Sequence, residues 1–295
     1  MARVVPNTQV EPELEKSMAE KLAVAFIVIV PFIGTIYAMV MLWNRWVTWL
    51  DVALMIALYL ISGLGITVGF HRLLTHKSFE TKPWLKRLFL IAGCMALEGN
   101  PIIWASTHIQ HHAHSDGEDD PHSPLEGLWH AHMGWIFAHR NNIAVYGTWL
   151  KKDRDVVWVA NRWLIWVALG LIIPTVIAGW SGLLWGGLVR IFLTHHVTWS
   201  VNSICHTFGR RDYQTRDASR NNFIVGLLAF GEGWHNNHHA FPRSAFHGLR
   251  WWQIDLSAYL IRALERVGLA WNVVRVKEED MHRRVIQASA DGMGD

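Results

Sequence analysis

Three short segments gather imidazoles at spacings that suit metal binding: His71-Arg-Leu-Leu-Thr-His76, His108-Ile-Gln-His111-His112 and His235-Asn-Asn-His238-His239. On a helix, positions i, i+3 and i+4 share a face, so the second and third segments can each aim their rings at one point. The first needs only a helix end to do the same. Neutral imidazole is a good ligand for iron, and these eight residues are too many for one ion yet suit two. The economical reading is a di-metal centre. Carboxylate di-iron bundles are built from Glu and Glu-x-x-His pairs, and no pair of such motifs occurs here. A ninth ligand candidate is His206, with Asn202 four residues before it able to face the same metals directly or through water. Of the remaining histidines, His114, His130, His132 and His139 read as interfacial residues or partners of the ligands, and His122 as part of an Asp-Pro-His turn. His195 and His196 read as hydrogen-bonding partners inside an apolar segment, and His247 and His282 as ordinary surface residues.

The elements that must carry these segments are apolar. The 295 residues are 51% hydrophobic, with 18 tryptophans, which fits a membrane protein better than a soluble one. A net charge of +3 with no basic stripe gives no call for nucleic acid and suits an anionic membrane surface. The two cysteines, Cys94 and Cys205, form no CxxC or CxxH arrangement, so neither a disulfide framework nor a zinc-thiolate site is indicated. Residues 1–20 read as a polar tail with Glu11, Glu13, Glu15 and Lys16 and without the pattern of a signal peptide. Apolar runs then cover about 22–43, 47–70, 156–180 and 183–204, each near the roughly 20 residues that cross a bilayer. Lys and Arg concentrate between His71 and Asp155, whereas the link between the first two runs holds only Arg45. That asymmetry places the long stretch and both termini in the cytoplasm. The expectation is an all-α integral membrane protein: four transmembrane helices and a cytoplasmic helical cap, in one unit over 21–270, followed by a tail over 271–295. All three histidine segments then fall on one side of the membrane. Leu85 to Leu97 is too short to cross and reads as an interfacial or half-buried helix, and Arg250 to Val267 as an amphipathic one. Arg190, inside the fourth run, should pair with a carbonyl or an acid of the bundle.

Several stretches resemble the membrane fatty acyl desaturases of the stearoyl-CoA desaturase type. They are Gly65-Ile-Thr-Val-Gly-Phe-His71 through His76, Asp120-Pro121-His122, His132-Met-Gly-Trp135, Val201-Asn202-Ser203 through His206, and Gly231-Glu-Gly-Trp-His235 through Pro242, in consistent order over about residues 40–260. The resemblance implies two irons held by His71, His76, His108, His111, His112, His206, His235, His238 and His239, with Asn202 as an additional polar group. It also implies a narrow acyl tunnel shaped by Trp104, Thr198 and Trp199 and closed at its blind end by Tyr59 and Gly63. Read plainly, Tyr59, Trp104 and Trp199 would instead be interfacial or core aromatics. Where animal acyl-CoA enzymes carry Arg-Asp before the second histidine segment, this chain has Ser106-Thr107, preceded by Glu98-Gly-Asn-Pro101. That departure resembles bacterial and plant relatives, some of which act on lipid-bound chains, so the carrier stays open between CoA and lipid.

The implied reaction removes two hydrogens from adjacent carbons, nine and ten, of a long saturated fatty acyl chain, leaving a cis double bond while dioxygen is reduced to water. An unactivated methylene has no acidic proton and no leaving group, so metal–oxygen chemistry must start the reaction. The chain carries no GxGxxG fingerprint after a strand and no evident haem domain, so electrons must come from an external donor, a ferredoxin or a b-type cytochrome. Arg210, Arg211, Arg216 and Arg220 could dock such an acidic carrier or anchor the protein to membrane lipid. A membrane di-iron hydroxylase is the neighbouring alternative, told apart by an alcohol product. A metal transporter is a different class, for which the apolar runs offer too few ionisable groups.

Overall fold

A computed structural model of the chain describes residues 16–44, 46–138 and 142–285; Glu11, Glu13, Glu15, Arg45 and His139 lie outside the described residues. Helix α1, Met18–Trp43, starts at a capping box in which Ser17 and Glu20 satisfy each other's backbone N–H groups. Helix α2, Trp49–Leu64, starts at the same device built from Thr48 and Asp51. Among the described residues, three helices are long and apolar enough to cross a membrane, Met18–Trp43, Trp49–Thr75 and Trp163–His206. The third folds back on itself at Ala178–Gly179, where Gly179 takes φ +62°. A Cβ on Gly182 would lie 2.0 Å from the carbonyl oxygen of Pro174, which shows how closely the two arms approach. The apolar run expected from 156 starts as a separate helix, Arg154–Ala160, and the long helix begins only at Trp163. Val156, Val159 and Ala160 are buried in the principal core instead, together with Leu90, Cys94, Ile102 and Ala105.

Helix α2 runs on as a π-helical segment, Gly65–Thr75. Within it Thr75 Oγ1 donates to the carbonyl of Phe70 at 2.7 Å, and His76 N donates to His71 O at 3.0 Å. Bonds from i+5 to i stack residues five apart above one another. In an α-helix, residues five apart point to different sides. The widened turns are therefore what let His71 and His76 face the same way, where the sequence alone offered only a helix end. Helix α3, Pro83–Cys94, is half-buried as expected and lies along this segment. Its contact depends on two glycines, because a Cβ on Gly65 would sit 2.1 Å from Gly93 N and one on Gly69 would sit 2.9 Å from Phe89 Cβ.

Helix α4, Pro101–His114, is capped by Asn100, whose Oδ1 accepts from Ile102 N at 2.9 Å and Ile103 N at 3.0 Å, with Pro101 in the first turn where a missing N–H costs nothing. The chain after α2 is tied to the C-terminal region by two short antiparallel strands, β1 Glu80–Thr81 and β2 Ala270–Trp271. Beside them the amphipathic helix Leu256–Arg266 buries Ala258 and Ile261 against Val68, Leu73 and Phe79.

Gly65→Ala should prevent α3 from seating, since the obstacle is backbone. The expected outcome is loss of monodisperse protein on size exclusion in detergent, with Ala substituted at the exposed Glu118 as a control that stays monodisperse.

Candidate metal centre

Helix α4 presents His108 and His112 one turn apart and His111 on the adjoining face. The short helix His235–Ala240 does the same with His235 and His239 on one side and His238 on the other. The two helices therefore each serve two places. At the first, ligand atoms of His71, His76, His108, His112 and His238 lie within 4.8 Å of one another; at the second, those of His111, His206, His235 and His239 do. All nine histidines singled out from the sequence are thus brought together, as a set of five and a set of four.

Within the first set, Nε2–Nε2 separations are 3.1 Å for His71–His238, His76–His108 and His108–His112, and 2.9 Å for His112–His238. In the second they are 3.0 Å for His206–His235 and His235–His239, and 3.4 Å for His111–His239. Two imidazole nitrogens bound to one ion at about 2.0–2.1 Å and near a right angle sit about 3 Å apart. The outer nitrogens strengthen the case. His111 Nδ1 donates to Asp120 at 2.9 Å and His239 Nδ1 to Asp217 at 2.8 Å, while His206 Nδ1 lies 2.9 Å from Asp116 and His71 Nδ1 lies 2.7 Å from Glu232. A neutral imidazole with its proton on Nδ1 has a bare lone pair on Nε2. His111 and His239 therefore face each other lone pair to lone pair, an arrangement that no hydrogen bond relieves and that a cation between them would. Both sets fit a metal ion.

Burial, followed by the neighbouring imidazoles, holds His76, His108, His111, His112, His235 and His238 well below the ordinary histidine range, in the neutral form that ligates metal. Burial pushes Asp120 up to about 6. It also opposes ionisation of Glu232, but His71, His247 and Arg72 outweigh it and hold this carboxyl well below the usual carboxylate range.

The other histidines divide. His195 Nε2 donates to Ala96 O at 2.9 Å, and His132 joins His196 at 3.0 Å and Ser203 at 2.9 Å. His114 meets the Tyr146 hydroxyl at 2.9 Å, His130 approaches Pro121 O at 3.3 Å, and His122 packs its ring 4.3 Å from that of His111. His247 corrects the reading of it as a surface residue. It is 1% exposed, its Nδ1 is 3.1 Å from Glu232 Oε2, and its ring packs 4.4 Å from that of His238, tilted by 37°. A lone histidine between Phe246 and Gly248 carries no spacing signal, so only the folding of residues 241–255 over the site reveals it.

A cavity of about 290 Å3 adjoins the histidines and is lined by Tyr59, Gly63, Trp104, Thr198, Trp199 and Asn202 together with His71, His108 and His235. Trp104 stacks on His108 at 5.2 Å and 23° and donates from Nε1 to Glu98 at 3.0 Å. Tyr59 donates its hydroxyl to Leu228 O at 2.9 Å. A Cβ on Gly63 would lie 2.0 Å from Phe230 Cε2, so the glycine is what admits that ring. Glu98, not singled out as a site residue in the sequence, also lines the cavity, and burial pushes it up to about 7.

A family model described as fatty acid desaturase matches residues 44–274. The sn-1 stearoyl-lipid 9-desaturase of Anabaena variabilis is 44% identical over 231 residues, covering 77% of this chain and 85% of that one. The hex-5-enoyl-[acyl-carrier protein] acetylenase of Moorena producens (strain JHB) is 40% identical over 267 residues, 83% of each chain. Delta-9 acyl-lipid desaturase 1 of Arabidopsis thaliana is 40% identical over 247 residues, 81% of this chain and 79% of that one.

The buried carboxylates beside His71 and His247 are balanced by one cation, Arg72, which reaches Asp255 at 3.0 Å and Glu232 at 3.2 Å. Removing one partner of such a buried group costs about 3–5 kcal/mol. Arg72→Met should destabilise the protein by that order, read as a lowered midpoint in thermal unfolding of the detergent-solubilised chain.

Proposed function

The chain belongs to the fatty acid desaturase family, and from that premise we propose that it places a cis double bond between carbons nine and ten of a long saturated acyl chain. It is an oxidoreductase acting on acyl chains. The observation that carries the finer reading is the division of nine buried or half-buried imidazoles into two sets, each with nitrogens about 3 Å apart, beside a largely apolar cavity. His71, His76, His108, His112 and His238 would hold one iron, and His111, His206, His235 and His239 the other, with Asn202 lining the space next to them. When bound, the two irons supply reduction of dioxygen to water with electrons from an external ferredoxin or b-type cytochrome, and with it the power to take hydrogen from an unactivated methylene.

The contribution of the protein's own residues is positional. Asp120 and Asp217 orient His111 and His239 through their Nδ1 protons, and Glu232 and Asp116 lie against the same atom of His71 and His206. Methylenes along a saturated chain differ little in reactivity, so the bond is selected by where the cavity holds the chain. Trp104, stacked on His108, lies where the chain must pass the metals. Tyr59 and Phe230, whose rings sit 5.3 Å apart, close the end. The hairpin at Ala178–Gly179 supports four membrane crossings, with both termini and the histidines on the cytoplasmic side. The surface there carries the exposed Arg210 and Arg216, charged to suit an acidic electron carrier.

Gas chromatography with mass spectrometry of lipids from cells expressing wild type and His111→Ala tests the reaction: cis-monounsaturated chains should appear only with wild type, and hydroxylated chains would overturn the desaturase reading. Loss of a carboxylate that orients a ligand costs about 10–100-fold in metal affinity. Asp120→Ala should therefore bind iron that much more weakly than wild type in a chelator competition. Tyr59→Ala should shift the products toward longer chains, and an unchanged chain-length profile would remove Tyr59 from the closed end.

A further inference from the structure

Helix α3 ends inside the protein, and its last carbonyls need donors. Cys94 O and Gly93 O are taken by Leu97 N and Ala96 N, but the carbonyls of Met95 and Ala96 point to the helix Arg190–Ser203 instead. Arg190 Nη1 donates to Met95 O, and its other nitrogens donate to Gly170 O at 3.0 Å and Gly186 O at 3.1 Å. His195, 2% exposed, donates from Nε2 to Ala96 O at 2.9 Å. The next residue, Leu97, is held at φ +62°, a conformation that a leucine keeps only where its surroundings impose it. Beyond that turn the chain delivers Glu98 into the cavity, where it accepts from Trp104 Nε1, and then Asn100, which caps α4. The strap Met95–Gly99 thus sets the place of Glu98 and the tilt of Trp104 beside His108.

We propose that Arg190 and His195 are positioning residues that clamp this strap and thereby decide which carbon–carbon bond of the substrate lies beside the histidine sets. The inference rests on the reading that the cavity holds the acyl chain. Arg190 lies outside the cavity and acts only through the strap, whereas His195 both holds the strap and lines the cavity, so its replacement is read beside Gly170→Ala, a position outside the lining. Without the donor on His195, the Ala96 carbonyl is left buried and unpaired, and the Leu97 turn relaxes.

The test compares full-length wild type with His195→Leu, His195→Gln and Gly170→Ala, reading iron per chain, the position of the oxidised carbons and the chain-length profile. Gln can still donate to Ala96 O, whereas Ala at 170 puts a methyl 3.1 Å from Met95 Cβ and 3.2 Å from Arg190 Nη2, pressing on the start of the strap and on its arginine together while leaving the His195 side chain in place. His195→Leu is expected to keep its iron while the ratio of product oxidised at the wild-type position to product at neighbouring positions falls about 5-fold, the scale of one lost neutral hydrogen bond. Gly170→Ala should shift the ratio in the same direction, and His195→Gln should restore it. An unchanged ratio in both His195→Leu and Gly170→Ala, or a shift in His195→Gln equal to that in Leu, would overturn the proposal. A wild type that forms alcohols would refute desaturation while leaving the oxidised position, and hence the clamp, measurable.

Discussion

Imidazole nitrogens that carry lone pairs and face one another across about 3 Å repel unless positive charge lies between them, and much of this structure is arranged around that constraint. Each ring must be neutral, so the rings are buried. Each must present a particular nitrogen, so carboxylates lie against Nδ1 of His71, His111, His206 and His239. Those carboxylates must in turn be held. Asp120 accepts from Asp116 N and His122 N, and Glu232 and Asp255 share Arg72. The polar interior is therefore a shell around two sets of nitrogens, and the short helices of the cap are its supports.

A second constraint follows from placing that shell beside apolar helices. Backbone groups that end a helix away from water must find donors inside the protein. Arg190 and His195 meet this need at the end of α3, and Asn100 meets the opposite need at the start of α4. Glycines at 65, 69 and 93 allow α3 to press against the π-helical continuation of α2, so the His71 segment and the strap leading to α4 are held by the same packing. Selectivity for a position along an acyl chain requires this rigidity, because the chain itself offers no polar mark to recognise.

Much was legible from residue spacing alone. Spacings of three and four identified the rings on α4 and on His235–Ala240, and the long helices Met18–Trp43, Trp49–Thr75 and Trp163–His206 lie along the apolar runs. Arg190 was correctly expected to need a carbonyl or acid, because a cation in an apolar helix has few other options. Two readings failed, for different reasons. His247 is isolated in sequence, and its burial beside Glu232 arises from contact with segments roughly 15 and 175 residues away in the chain. The helix break between Ala160 and Trp163 falls at Asn161 and Arg162, two polar residues that a single averaged apolar run from about 156 to 180 passes over.

The sequence by itself determined the ligand types, their local faces and the apolar character of the elements that carry them, because side-chain chemistry and helical period are local properties. Only the tertiary structure decided that the nine rings divide into five and four. That division depends on α4 and the His235–Ala240 helix each turning two faces to two places, and on π-turns that rotate His71 and His76 into register. Which residue faces which partner is set by how helices cross and how closely glycines let them approach. Those are relations between distant segments, and no local pattern encodes them.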